Sequence, residues 1–158
     1  MIRAAARVGL ATMVLVSCGP DVVRVERTDG LALECQWVSA ARDQVAYYTV
    51  ARDGIFRSGG GALASQRATT FATSLDDSEL KQFVQLLRAT DFASRQSCAS
   101  SEGDRTIMRV EHAGSWSEFT VFGADPTVDP LRLWCSQIAL RQFKDIIDSQ
   151  PVAGERRR

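Results

Sequence analysis

The sequence has a single histidine, His112, in 158 residues. Any imidazole-based triad or metal site would have to be built on that one ring, and no HExxH helix or GxSxG elbow occurs to suggest one. Positive charge is not in excess: 19 Lys and Arg balance 19 Asp and Glu. Nucleic-acid binders need a basic field to neutralise phosphate, so the balance argues against that class. No two cysteines form a CxxC pair, which removes the thioredoxin-type redox motif and the zinc knuckle. Internal repeats and long low-complexity tracts are also missing. Apolar runs are short. The one at residues 8–16 would rise about 13.5 Å as a helix, roughly half of a bilayer's hydrocarbon core, which is too little for a span.

That run follows Arg3 and Arg7 with no acid beside them, the charged-then-apolar order of an export signal. It ends on Leu15-Val16-Ser17-Cys18, which resembles the bacterial lipobox: a branched aliphatic, a tolerated middle residue, a small residue and a cysteine. The resemblance implies cleavage between Ser17 and Cys18, diacylglycerol on the Cys18 thiol and a further acyl group, such as palmitate, on the new amine. One acyl chain holds a protein only marginally, at about 0.8 kcal/mol per buried CH₂, whereas two or three hold it stably. Gly19 follows, with no Asp at that place. By resemblance to enterobacterial lipoproteins, this points to the outer membrane facing the periplasm. The expected division is a signal peptide at 1–17, a lipidated tether at 18–30, one domain at 31–150 and a basic tail at 151–158.

Removing residues 1–17 leaves 141, enough for one domain with a real core. Arg3 and Arg7 leave with them, which takes the whole-chain charge of zero to −2. Cys35, Cys98 and Cys135 remain, an odd number for an oxidising compartment. One disulfide and one buried thiol are expected. Cys98 lies in a polar segment, residues 94–104, where a free thiol would be exposed, so it is expected to be paired. Cys135 is its preferred partner, although Cys35 and Cys135 could each be a plain core cysteine.

Residues 31–38 alternate Leu31, Leu33, Cys35 and Trp37 with a second set, the period of a half-buried strand. A second strand at 44–52 runs into the turn signal Asp53-Gly54 and returns through Ile55-Phe56-Arg57. Ser58-Gly59-Gly60-Gly61 reads as a glycine-rich turn, and residues 68–73 as a further strand. Asp76 and Glu79 have capping-box spacing, with Leu75 and Leu80 as a staple; Leu80, Phe83, Val84 and Leu87 then follow at helical spacing. A hairpin is expected from residues 106–112 and 116–122, turned at Ala113-Gly114-Ser115. Asp129 and Pro130 begin a last helix whose buried side is expected to hold Leu131, Trp134, Cys135, Ile138, Phe143, Ile146 and Ile147. The fold class is therefore α+β: an antiparallel sheet of five or six strands with two helices on one face, in the order strands, helix, hairpin, helix.

Candidate chemistry is sparse. His112 sits near a strand end with Glu111 on the other face and Ser115 across the turn, and reads as a partly buried structural ring. The Ser58–Gly61 glycines lack the Lys-Ser/Thr and helix start of a phosphate loop. Asp76 with Asp77, and Asp125 with Asp129, fall at helix starts, where capping accounts for carboxylates without a metal. Glu102 and Asp104 have too few companions for calcium. Trp37, Trp116 and Trp134 read as core. Tyr47 and Tyr48 are adjacent on a strand and must face opposite ways, so one of them is expected outside.

The plan of glycine-bearing turn, helix with Leu75, Glu79, Leu80, Leu86, Leu87 and Phe92, hairpin at 106–122 and closing helix from Pro130 resembles that of small exported bacterial domains. Among these is the metalloprotease-inhibitor family called emfourin, and the likeness covers about residues 31–148. The serine-glycine-glycine-phenylalanine start of those sequences has no counterpart; Ser58-Gly59-Gly60 comes later and is followed by Gly61. The leading expectation is a non-enzymatic, membrane-anchored binding module of the cell envelope that needs no cofactor. Its partners would be the membrane, through lipid on Cys18, and a protein or envelope component. An inhibitor of an extracytoplasmic protease, acting through residues 58–62 or the tether, is the alternative, and a hydrolase using His112 comes last.

Overall fold

The computed structural model describes residues 26–97 and 103–148, with the side chains of residues 145 and 146 left aside. Six strands and three helices follow in the order β1 Ala32–Ser39, β2 Gln44–Val50, β3 Ile55–Gly60, α1 Gly61–Ser65, β4 Phe71–Ser74, α2 Asp77–Ala89, β5 Arg105–His112, β6 Ser115–Phe122 and α3 Asp129–Asp148. All neighbouring strands are antiparallel, in the order β4-β3-β2-β1-β5-β6. The expected α+β class holds, and β1, the first strand among the described residues, occupies the middle of the sheet.

Alternation along the strands builds two unlike faces. Leu33, Cys35, Tyr48, Val50, Phe56, Met108, Val110, Phe119 and Val121 form one buried face with Phe83, Leu87, Leu131, Trp134 and Ile138 of α2 and α3. Trp134 meets Phe56 edge-on at 6.3 Å and Phe83 at 5.8 Å, and its indole N–H donates to Gln82 at 3.1 Å, so the ring's one polar group is satisfied. α2 starts as its sequence demands. The Asp76 carboxylate accepts from the Glu79 N–H, and Glu79 accepts from the Asp76 N–H, both at 2.9 Å. The β5–β6 hairpin turns on Ala113 and Gly114, with φ of 51° and 79°, a pair of positive values that suits the twist of its strands.

Four expectations are corrected. Ser58-Gly59-Gly60 is the end of β3, not a turn, and Ser58 and Gly59 are buried. The glycine serves close approach: a Cβ at Gly59 would stand 2.1 Å from the Ala68 carbonyl oxygen. Tyr47 and Tyr48 do face opposite ways, yet both are only 6 % exposed. The unforeseen α1 lies on the second face, where Gln36 Nε2 donates to the Ala64 carbonyl at 2.9 Å and covers the Tyr47 side of β2. Trp116 is not core but 44 % exposed. Phe143 and Ile147 point outward from α3, at 50 % and 66 % exposure, because the core contacts of that helix are made by Leu131, Trp134, Cys135 and Ile138.

The chain is already docked at residues 26–30, the end of the expected tether. The Arg27 N–H donates to the Arg52 carbonyl at 2.9 Å, and buried Thr28 bonds the Leu31 and Arg52 carbonyls through its hydroxyl.

Candidate functional site

The second face of the sheet, beyond the cover of α1, combines a cleft with grouped, ion-paired charge. Register sets it out in rows. One row crosses all six strands: Ala72, Arg57, Thr49, Glu34, Arg109 and Glu118. Beside it, Ala32, Glu111 and Trp116 line up across β1, β5 and β6. These rows, the β2–β3 turn and Glu26 enclose a cleft of about 530 Å³, with Ala32, Thr49, Ala51 and Trp116 among its lining residues.

Its charges are tied together across strands. Arg52 holds Glu111 with two nitrogens, at 2.6 and 3.2 Å, and Glu26 with the third at 3.3 Å. Arg109 donates to Glu34 at 2.7 Å, pairs with Glu118 at 3.3 Å and lays its guanidinium 5.0 Å over the Trp116 ring. Within the cleft lining, four carboxylates (Glu26, Glu34, Asp53 and Glu111) meet Arg52, with Arg109 paired to Glu34 from beside it, so the cleft is negative. Burial raises the Tyr47 hydroxyl pKa, and the Glu34 carboxylate beside it adds to the effect, so this phenol stays protonated. The cleft presents carboxylate acceptors, one half-exposed indole and a threonine hydroxyl.

The residues singled out in the sequence are scattered. His112 is exposed, not partly buried; it pairs with Ser115 across the turn, and its ring stands 5.9 Å from Phe92. Glu111 does take the opposite face, committed to Arg52. Asp125 caps the turn before α3, accepting from the Thr127 and Val128 N–H groups at 2.9 and 3.1 Å. Its bond from Arg95 at 2.7 Å, against the opposing effect of burial, keeps its carboxyl far below the ordinary range. Asp129 answers it, accepting from the Asp125 N–H. Asp104 accepts from Ser39 and the Ala40 N–H. Ser78 and Lys81 have the spacing of a serine–lysine pair, but both are exposed, and Ser78 lies outside the shallow groove that Lys81 lines.

Cys35 and Cys135 are free, buried thiols. Burial pushes Cys35 up to about 12 and raises Cys135, whose neighbour Cys35 adds to the shift. Cys135, expected to pair with Cys98, is thus turned into the core beside Cys35. Cys98, Glu102, Ser17, Cys18 and residues 156–158 lie outside the described residues.

Arg52, Arg109 and Glu34 were not singled out in the sequence. What joins them is register, which a period of two along 31–38 and 105–112 does not reveal. No family model matches the chain, and no curated protein matches it.

Proposed function

We propose that this chain is an exported lipoprotein, cut before Cys18 and lipid-anchored there, whose domain is a non-enzymatic binding module of the cell envelope. The observation that carries the binding role is the helix-free cleft whose carboxylates Glu26, Glu34, Asp53 and Glu111 outnumber Arg52, with Trp116 at its edge. With Arg52 and Arg109 already engaged, the cleft presents surplus carboxylates and an indole. A partner segment carrying Lys or Arg next to an apolar group complements both. The anchor rests on the sequence Leu15-Val16-Ser17-Cys18 behind its short apolar run.

Two measurements test the reading. Intact mass on the membrane fraction should give a chain beginning at Cys18 with acyl mass, lost in Cys18→Ala; an unlipidated product rejects the anchor. A photo-crosslinking residue at Trp116 in living cells should give a discrete adduct that Glu111→Ala abolishes. Labelling of only lipid or water rejects the binding face.

A further inference from the structure

The outer side of α3 has no partner. Leu133, Leu140 and Ile147 stand seven residues apart, with Phe143 beside them, and all four are exposed by half or more. At about 100° per residue, sevenfold spacing drifts only about 20°, so they make one stripe along the helix. The stripe lies opposite the buried line of Leu131, Trp134, Cys135 and Ile138, so α3 is apolar on two sides. Polar residues border the outer stripe: Gln137, Arg141 and Lys144.

We propose that this stripe lies on the surface of the bilayer to which Cys18 tethers the domain. The inference rests on the anchored reading and adds an orientation to it. The place where the chain enters the fold is the first argument. Arg27 pairs with Asp77 at 2.8 Å, and Arg141 pairs with Glu79. Asp77 and Glu79 belong to opposite sides of the first turn of α2, so the incoming chain and the Arg141 end of α3 flank that turn. The second argument is reach. Eight residues separate Cys18 from Glu26, a span of at most about 28 Å. A domain of this length has a radius of gyration of about 14 Å, so such a tether is shorter than the domain is wide. The entry point at the first turn of α2 is therefore held near the lipid, and with it the C-terminal half of α3, which Arg141 ties to that turn. Held this close, the stripe meets the surface at an effective concentration on the order of millimolar, and weak interfacial affinity suffices.

The test uses the full-length, lipidated protein in vesicles of phosphatidylethanolamine and phosphatidylglycerol, with Cys98→Ser to leave only buried or acylated native thiols. A nitrobenzoxadiazole probe is placed at Leu140→Cys, at Ile147→Cys and, as a control on the open sheet face, at Ala72→Cys. Brominated acyl chains should quench the probe roughly two-fold or more at 140 and 147 and leave 72 unchanged, as expected for side chains at the headgroup–acyl boundary. Acyl mass with equal quenching at all three sites, or with none, overturns the inference and leaves the anchor standing. A protein without acyl mass overturns both. In unlabelled Leu140→Cys protein treated with a mild oxidant such as copper–phenanthroline, disulfide-linked dimers that grow with surface density would show the stripe to be a seam between two copies, which also overturns it.

Discussion

The two faces of the sheet are made by alternate residues of the same strands, and they are chemical opposites. On β1, Leu33 and Cys35 enter a core with Phe56 and Phe83, while Glu34 between them joins an ion-paired row open to solvent. On β5, Met108 and Val110 are buried, and Arg109 binds Glu34 and overlies Trp116. One face supplies stability and the other is free to vary in chemistry. The division of labour is complete enough that substitutions should separate cleanly by face.

The largest effect belongs to the covered face. Phe83→Ala removes a fully buried ring from the junction of α2, α3 and the sheet, and should cost about 3–5 kcal/mol in urea unfolding. A smaller loss there would mean that the helices are not holding that face. Gly59→Ala comes next, because its Cβ meets a backbone oxygen and cannot be accommodated by a side-chain turn. A cost of about 1–3 kcal/mol, with β3 and the Ala68 segment forced apart, is expected by the same method.

Asp125→Asn should cost about 1–2 kcal/mol at neutral pH by weakening a charge-assisted bond to Arg95. The sign of its pH dependence follows from a folded pKa held below the ordinary 3.8. The stabilisation is fully present above that value and is lost as pH falls from it toward the folded pKa. Unfolding measured from pH 6 down to pH 2 should show this acid-side loss in wild type and a flatter profile in the variant. Trp116→Ala on the open face should change stability by no more than about 0.5 kcal/mol. A large loss of stability would break the separation of the two faces. Finally, Cys35 and Cys135 should resist iodoacetamide at pH 8 in the native protein and react once it unfolds, since burial disfavours both thiolates.

Much of the covered face was legible in the sequence because local rules decide it. Asp76 and Glu79 announce α2, Leu80, Phe83, Val84 and Leu87 give its buried stripe, and Ala113-Gly114 marks the hairpin. The open face was not, because its rows join residues as distant as Glu34 and Arg109, and register between strands has no local sign in either segment. α1 escaped for a different reason. Gly61-Ala62-Leu63-Ala64-Ser65 is too short to show a period, and the glycines before it look like a turn until Ala68 is known to press on Gly59. On α3, apolar residues all round the helix concealed which side is inward; only the packed neighbours of Trp134 and Ile138 decide that Phe143 and Ile147 face out.

The central position of β1 has a mechanical consequence. Residues before Glu26 lead almost directly into this strand, which is bonded along its length to β2 on one side and β5 on the other. Tension arriving through the N-terminal segment first meets the Arg27–Arg52 backbone bond and the Thr28 hydroxyl. Beyond them it must slide the middle strand lengthwise against two ladders at once. Pulling an edge strand would open its bonds one after another, whereas shearing a central strand strains many together. A pull on the N-terminal side would therefore act at the point where a sheet of this order resists being drawn apart most strongly.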